Sequence, residues 1–305
     1  MHLIRNLSVG LIAGLMTATA AQADWRKELG TFRIGLIESE GRQYSPSDLD
    51  KIRAAYASAL GMPVEIFQAR DFPSLIDAHA SSRIEYAVYT AQAFATASLA
   101  CECVEPLAAP MGADGSAGVR DALIVDPALS MSALAASKGI GMPGRDALST
   151  MGVALAAFQS GGVRLTGAET WLRVEEDMNA VMAKFGDGSL DGFFAAVPSR
   201  LNLAQTPDGS PDLSAAIAKT GRKAKALWLS ELVPFGPHAV RKNLAPEAKA
   251  VLSKMLLELG STNPDLNDLM LPEGATAFTV VNQGAYGLAL EATRALAAAS
   301  AAPKP

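Results

Sequence analysis

The chain has 305 residues, of which 50% are hydrophobic, and its 26 basic and 31 acidic side chains give a formal net charge of −5. This mild acidity argues against nucleic acid as a partner, because nucleic-acid binding requires a basic surface. A chain of this length and apolar content can bury one large core or two smaller ones, so we expect a globular protein throughout.

The first 23 residues have the pattern of a secretory signal peptide. Arg5 supplies positive charge, residues 7–20 are apolar and uncharged, and residues 21–23 form a small-x-small cleavage site. A transmembrane anchor is the alternative, but the apolar run is shorter than the ~20 residues that a spanning helix needs. Since no cysteine stands at the cleavage point, a lipid anchor is not indicated. We expect an exported periplasmic protein that begins near Asp24.

Two cysteines, Cys101 and Cys103, are separated by one residue. This spacing strains a mutual disulfide and offers too few ligands for a zinc site. A redox pair and a soft-metal site are the functional interpretations. Free cysteine is more often a small buried hydrophobe, and the sequence favours that interpretation.

The first part of the chain alternates strands with helices. The predicted elements are a strand at 32–37, a helix from Ser45-Pro46 to a stop at Gly61, a strand at 64–67, a helix at 73–80 capped by Asp71, and a strand at 84–89. Such alternation predicts a mostly parallel sheet with right-handed crossovers.

Ligands of parallel sheets bind beyond the carboxyl ends of the strands. Glu38, Ser39, Tyr89 and Thr90 stand at such ends and are therefore candidate ligand-binding residues. Tyr89 has an equally good interpretation as an aromatic residue at the margin of the core, because a buried tyrosine hydroxyl needs only some partner.

A second set of alternating elements follows a Gly- and Ala-rich connector at 108–118. It comprises strands at 122–125, 139–142, 171–174, 190–195 and 226–230, with helices near 132–137, after Ser149 and at 177–185. The chain then changes lobe near 232–234, and the remaining helices begin at Pro246 and at Gly287, the last of them expected to pack against the first lobe. We predict that residues 24–112 and 231–300 form lobe 1, that residues 113–230 form lobe 2, and that residues 301–305 are a frayed tail.

The segment 139–159 reads as a strand, a loop broken at Pro143-Gly144 and a helix beginning near Ser149 and Thr150. Free N–H groups and the positive end of a helix dipole would meet two hydroxyls there, an arrangement that suits an oxyanion. The simpler interpretation is that Ser149 only caps the helix.

Taken together, these stretches resemble the phosphonate-binding family of periplasmic substrate-binding proteins, the receptors of ABC importers. The resemblance is carried by residues 35–40, 69–72, 84–89, 113–118, 123–125, 149–150, 228–234 and 241–244, in the family's order. It implies a type II periplasmic-binding fold, with two α/β lobes joined by two crossing strands that close on the ligand like a hinge. It also implies that Tyr89 from one lobe and Ser149 with Thr150 from the other hold the oxyanion.

The chain departs from the family pattern at two places. Family members that bind phosphonates present a histidine followed by an acidic residue where this chain has Glu175-Glu176-Asp177, and polar side chains where it has residues 193–196, Phe-Phe-Ala-Ala. A carboxylate repels an oxyanion unless a cation or proton intervenes, so Glu176 could instead pair an amine of the ligand. Alternatively, the acidic run only favours the first turn of a helix.

The sequence therefore predicts a monomeric solute-binding protein, without cofactor or metal, that delivers a small anion to an inner-membrane permease. The alternatives are a changed specificity, for an amino-bearing or non-phosphorus solute, and a receptor that presents its ligand to a sensor kinase. An enzyme is disfavoured, because Asp114 replaces the first glycine of a nucleophile elbow at 114–118 and because no Walker-type loop or metal-ligand cluster occurs in the sequence.

Overall fold

The computed structural model describes residues 24–38, 43–145, 147–160, 163–199, 204–205, 211–212 and 220–301. The predicted signal peptide and Ser39 lie outside these residues, as do 302–305 of the predicted tail and most of the Pro/Gly/Asp loop at 204–214. The helices are α1 (Trp25–Leu29), α2 (Pro46–Leu60), α3 (Phe72–Ala80), α4 (Ala91–Cys101), α5 (Val153–Ala157), α6 (Met178–Gly186), α7 (Pro246–Thr262), α8 (Pro264–Met270) and α9 (Gly287–Ala301).

The strands divide between two large sheets and one small hairpin. They are β1 (Phe32–Ile37), β2 (Val64–Ala69), β3 (Tyr86–Val88), β4 (Val104–Gly112), β5 (Gly118–Val125), β6 (Ile140–Pro143), β7 (Gln159–Ser160), β8 (Val163–Arg164), β9 (Leu172–Glu175), β10 (Gly192–Pro198), β11 (Ala204–Gln205), β12 (Pro211–Asp212), β13 (Lys225–Leu229), β14 (Val233–Pro234), β15 (His238–Arg241) and β16 (Ala275–Val280). The predicted helix near 132–137 is a 3-10 helix, Met131–Ala136.

Both large sheets are mixed. Within the described residues, the first has the order β16-β4-β15-β3-β1-β2, and the second has the order β11-β12-β13-β5-β10-β6-β9 with β14 added to β5. Only β1 with β2 and β3, and β6 with β9 and β10, pair in parallel. The prediction of two α/β lobes is confirmed, whereas that of mostly parallel sheets was wrong. β5 and β15 enter their sheets from the edge where the parallel strands end, so each must run antiparallel to its neighbours.

Local sequence signals explain where the helices of the first sheet begin. Ser45 and Asp48 form a reciprocal capping box at the start of α2, and the Asp71 carboxylate accepts the Ser74 N–H at the start of α3. Gly61 ends α2 in a left-handed conformation with φ of 65°. These boundaries confirm the predicted alternation of strands and helices.

Each large sheet separates two apolar clusters. On one face of the first sheet, Ile34 packs with Ile52 of α2 and Leu252 of α7, while the other face carries Phe94 of α4. In the second sheet, Phe194 faces one cluster and Phe193 the other. The alternation of neighbouring residues between faces follows from the two-residue period of a strand.

The sheets are joined by two segments that run side by side. β4 leads through a tight turn into β5, and β14 pairs with the first residues of β5 before the chain returns to β15. A Cβ on Gly118 would lie 2.2 Å from the Val233 carbonyl oxygen, and one on Gly236 would lie 2.0 Å from the Tyr89 carbonyl oxygen. Only glycine allows this backbone approach.

The last helix bridges the two sheets. Helix α9 packs against α4 beside the first sheet and against α5 and the turn Leu148–Gly152 beside the second. Ala292 shares a buried cluster with Phe94, and Leu296 belongs to a cluster of the second sheet. The predicted contact with the first lobe is therefore present, but it is only half of the packing of this helix.

Cys101 and Cys103 form a disulfide, with Cα atoms 5.0 Å apart. The expectation of free, buried cysteines was wrong. Cys101 is the last residue of α4, and Glu102 adopts a left-handed conformation with φ of 51°, so the chain reverses between the two cysteines. That reversal brings their side chains together despite the short spacing.

Candidate functional site

The predicted residues of the first sheet lie along one edge of it, where the parallel strands end. Glu38 follows β1, is exposed, and accepts a hydrogen bond of 2.8 Å from Gln68 Nε2. Thr90 is exposed and caps α4, its Oγ1 accepting the Ala93 N–H at 3.1 Å. Both side chains are therefore available at the surface of this edge.

Tyr89 points into the interior instead. It is 4% exposed, and its hydroxyl lies 3.1 Å from His79 Nδ1, with the two rings stacked. Burial lowers the pKa of His79 to about 4, so the imidazole is neutral near pH 7. In this structure the Tyr89 hydroxyl has a protein partner, as the core interpretation of this residue requires.

Ser149 and Thr150 lie in a turn that differs from the predicted helix start. Leu148–Gly152 is a wide turn in which Ser149 has φ of −65° and ψ of 142° and Thr150 has φ of 77° and ψ of −88°. Ser149 does not act as a helix cap, and regular helix begins only at Val153. The expected helix N-terminus at Ser149 was wrong, because the backbone of Ser149 and Thr150 is not helical, while Leu148 and Met151 on either side are buried.

A buried carboxylate accepts a hydrogen bond from a backbone N–H of this turn. Asp121 of β5 is 0% exposed, and its Oδ1 accepts the Thr150 N–H at 2.9 Å. Its own N–H bonds to Ser230 Oγ at 2.9 Å, and its carbonyl oxygen accepts the Ser230 N–H. Burial raises the pKa of Asp121 to about 7, and the Thr150 hydrogen bond opposes that rise.

Two polar atoms remain unpaired in this interior. Asp121 Oδ2 and Thr150 Oγ1 are both buried, and neither has a hydrogen-bond partner among the described residues. Leaving a buried polar atom unpaired costs about 1–3 kcal/mol, so such atoms are rare without a functional reason.

The acidic run beside the second sheet has structural roles. Asp177 caps α6 by accepting the Ala180 N–H at 2.8 Å, and Glu175 pairs with Lys184. Glu176 is exposed between them. Asp177 therefore supports the start of α6 as its N-cap, although the first turn itself contains no acidic residue, and the ligand role of Glu176 stays a prediction.

The structure does not join the predicted residues of the two sheets directly. In the described part of the chain, no hydrogen bond, ion pair or ring contact links Tyr89, Thr90 or Glu38 to Ser149, Thr150 or Glu176. Tyr89 does share one apolar cluster with Leu148, which precedes Ser149. The two halves of the predicted site therefore meet through the core.

Two cavities in the described structure are lined by none of the predicted ligand residues. One of about 620 Å³ is bordered by Trp25, Arg33, Glu85 and Arg241, at the edge where β1 and β3 begin. Another, of about 530 Å³, lies between Trp228, Ser230 and α9. The first is on the opposite edge from the predicted ligand residues, and its buried Glu85 is paired with Arg33.

Sequence reasoning missed Asp121 and His79. Asp121 precedes the apolar run 122–125, and a carboxylate in line with a buried strand is the signal that could have identified it. His79 was assigned to a predicted helix, but no sequence pattern indicates that it faces Tyr89. The turn 114–118 is no nucleophile elbow, because the Asp114 carboxylate binds Ser116 N and Oγ.

Among the described residues, no group of histidine, cysteine, aspartate and glutamate side chains is arranged to hold a metal ion. No helix in the same residues combines the length and apolar character needed to cross a membrane.

Comparison with known proteins gives a family match and several structural neighbours. The sequence profile of the family described as "ABC transporter, phosphonate, periplasmic substrate-binding protein" matches residues 34–286. XAC2383 from Xanthomonas citri, in a structure bound to ATP, is 15% identical with a TM-score of 0.57, covering 89% of this chain and 98% of that chain. No protein of curated function matches the sequence.

Two other neighbours carry phosphonate descriptions. A binding protein component of an ABC phosphonate transporter from Pseudomonas aeruginosa is 18% identical, with a TM-score of 0.48 and 90% of each chain covered. PhnD1 from Prochlorococcus marinus, in complex with methylphosphonate, is 13% identical, with a TM-score of 0.49 and coverage of 88% of this chain and 98% of that chain. The TM-scores of these two neighbours lie below 0.5, so they carry no argument, whereas XAC2383, with a TM-score of 0.57 at 15% identity, supports the fold alone.

Proposed function

The chain belongs to the phosphonate-binding family of periplasmic substrate-binding proteins of ABC transporters, and from this premise we propose that it captures a small phosphonate-type oxyanion between its lobes and delivers it to an inner-membrane permease. The observation that carries the proposal is the family match over residues 34–286, which spans both large sheets and both crossing segments. Members of this family are periplasmic binding proteins and not enzymes.

We propose that the moving bodies are residues 24–112 with 231–300 and residues 113–230. The side-by-side segments around Gly118 and Gly236 connect these bodies and would serve as the hinge. The exported state would follow from cleavage of the signal peptide at residue 23.

In this proposal, Ser149 and Thr150 contact the oxyanion from the second lobe, and Thr90 and Glu38 border it from the first. Ser39 and Glu176 remain further candidates. Tyr89 can add its hydroxyl only if this group, which lies buried against His79, becomes accessible to the ligand.

The test is a thermal-shift screen of the mature protein against phosphate, phosphite, methylphosphonate, 2-aminoethylphosphonate and sulfate. A ligand at ~100 times its dissociation constant stabilises the native state by roughly 2.7 kcal/mol, which raises the melting temperature measurably. The double variant Ser149→Ala/Thr150→Ala should lose most of that shift. Thr262→Ala, an exposed hydroxyl at the end of α7, is the matched control and should retain it.

Failure of every oxyanion to shift the melting temperature would refute an oxyanion receptor. A shift that survives in the double variant would move the site away from the turn Leu148–Gly152. For Tyr89→Phe, a loss of affinity greater than about tenfold would mean that the hydroxyl leaves His79 to reach the ligand, because a hydrogen bond to a charged group is worth roughly 1.5–3 kcal/mol.

A further inference from the structure

The carboxyl group of Asp121, on β5, is hydrogen-bonded to the turn that contains Thr150. Its Oδ1 accepts the Thr150 N–H at 2.9 Å, so the backbone donor nearest the Thr150 hydroxyl already serves a carboxylate. Its Oδ2 and the Thr150 Oγ1 are buried and unpaired among the described residues. An oxyanion bound at Thr150 would therefore lie beside the carboxyl group of Asp121.

A negative oxygen of the ligand and an ionised Asp121 Oδ2 repel each other strongly when they lie close together in a buried site, unless a proton lies between them. No lysine or arginine forms an ion pair with Asp121 among the described residues, and Lys225 of β13 lies opposite Val125, towards the other end of β5. Within the residues that the structure describes, none of the following charged side chains forms a hydrogen bond or ion pair with Asp121: Arg120 on the same strand, Glu231 after β13, Arg145 before the turn, and Glu291 and Arg294 on α9. The Arg120 guanidinium instead donates to the Ser230 carbonyl oxygen at 2.7 Å.

We infer that Asp121 is a specificity-determining residue, which makes the site accept oxyanions that share a proton with its Oδ2 and disfavour oxyanions that carry none. The inference rests on the proposed function, since it concerns the ligand that contacts Thr150. Phosphonates, phosphite and phosphate have a second acidic proton that titrates near neutral pH, whereas sulfonates and sulfate have none in that range.

The proton count is the same whichever partner supplies the proton. An ionised Asp121 accepts it from a protonated ligand oxygen, and a protonated Asp121 donates it to a fully ionised one. A sulfonate can bind only if Asp121 takes up a proton from solvent. Because burial raises the pKa of Asp121 to about 7, that uptake is accessible near neutral pH and becomes unfavourable above it.

The substitution Asp121→Asn removes the charge of this side chain and keeps its shape. The amide oxygen can still accept the Thr150 N–H, and the amide NH₂ replaces Oδ2 with a permanent donor. The variant should bind an unprotonated oxyanion without proton uptake and should lose the preference for a ligand that carries a proton. Asp126→Asn is the matched control, because Asp126 follows the other end of β5 and bonds to Ala128 and Arg222.

The experiment is calorimetric titration of the mature wild-type protein and both variants with two nearly isosteric ligand pairs. One pair is methylphosphonate and methanesulfonate, and the other is 2-aminoethylphosphonate and taurine. We expect the wild type and Asp126→Asn to prefer the phosphonate of at least one pair, weakly near pH ~7, where Asp121 is about half protonated, and more strongly above that pH. In Asp121→Asn that preference should no longer grow with pH.

A pH series on the wild type tests the same inference even if Asp121→Asn fails to fold. The dissociation constant for the sulfonate should rise by up to about tenfold per pH unit above pH ~7, with uptake of one proton per ligand bound. A sulfonate affinity that is constant from pH ~6 to ~8 would overturn the inference.

The remaining outcomes separate the two proposals. If Asp121→Asn and Asp126→Asn bind phosphonates with the same preference over sulfonates, the inferred role of Asp121 is overturned. The proposed function as an oxyanion receptor is not affected by that result. Sulfonate binding that appears only in Asp121→Asn supports the inference. Absence of binding of all four ligands to all three proteins overturns the oxyanion receptor and this inference together.

Discussion

Thr150 is the residue at which backbone preference and native structure disagree most. Its φ of 77° and ψ of −88° lie close to the rarer form of γ-turn, a conformation that β-branched residues seldom adopt. The hydrogen bond from its N–H to Asp121 and the burial of its side chain hold it there. Strained residues of this kind cluster at ligand-binding sites, which agrees with its place in the proposed oxyanion site.

We predict that Thr150→Gly is more stable than Thr150→Ala by about 1 kcal/mol, because glycine adopts a positive φ without a Cβ clash. Ser149 is the matched control. At its φ of −65° the order should reverse, with Ser149→Ala more stable than Ser149→Gly by several tenths of a kcal/mol. Urea unfolding of the four variants measures both differences. The same order at the two positions would contradict the conformation of the turn.

The residues around the turn also show the limit of sequence reasoning about the site. The hydroxyls of Ser149 and Thr150 are visible in the sequence, and so is a break after Pro143-Gly144. The carboxylate that meets Thr150 comes from a strand 29 residues earlier, and its approach depends on how β5 lies in the second sheet. No local pattern specifies that pairing.

The two crossing segments each contain a glycine that lies directly against the backbone of another segment. Gly118 faces the Val233 backbone, and Gly236 faces the backbone of Tyr89 and Thr90. Backbone atoms cannot turn aside as a flexible side chain can. A new Cβ at either position must therefore separate elements that the fold holds together.

We predict that Gly236→Ala lowers the free energy of unfolding by more than about 2 kcal/mol, because its Cβ would lie 2.0 Å from the Tyr89 carbonyl oxygen and 2.5 Å from Thr90 Cα. Gly287→Ala is the control, since its Cβ would meet nothing within 4 Å. Denaturant unfolding of both variants gives the comparison. Equal stability would show that Gly236 does not lie against Tyr89.

Helix α9 packs closely against Gly152. A Cβ on Gly152 would lie 2.9 Å from Leu296 Cδ1 and 3.1 Å from its Cγ. We predict that Gly152→Ala destabilises the protein by about 1 kcal/mol, and that it becomes neutral or stabilising when Leu296→Ala makes room, because alanine is otherwise the better residue at a helical φ. A double-mutant cycle measures this coupling, and additive effects would exclude the contact.

For the whole molecule, the alternation of strands and helices was predictable and the direction of several strands was not. Apolar runs such as Phe32–Ile37 and the caps at Ser45 and Asp71 are local signals, and they specify the elements. β15 runs against β3 because the chain returns from the other lobe at the edge where β3 ends. That geometry depends on the crossing segments, and the packing of α9 against both sheets likewise depends on contacts distant in sequence.

Two buried titratable groups, one beside each sheet, give the molecule opposing responses to pH. His79 has a folded pKa of about 4, below its unfolded value of ~6.5, so the unfolded chain binds more protons and stability falls as pH drops through this window. Asp121 has a folded pKa of about 7, above its unfolded value of ~3.9, so the folded protein binds more protons and stability falls as pH rises through that window.

We therefore predict that the two contributions partly cancel in the wild type between pH ~4 and ~6.5, and that single variants reveal them. Relative to the wild type, Asp121→Asn should gain up to about 4 kcal/mol as pH rises from ~4 to above ~7, and His79→Asn should gain up to about 3 kcal/mol as pH falls from above ~6.5 to ~4. Denaturant unfolding at a series of pH values, with each variant compared with the wild type, cancels the contribution of every other group. Curves that run parallel to the wild type over these ranges would show that neither side chain titrates on unfolding. A single parallel curve would identify which of the two is exposed to solvent in the folded protein.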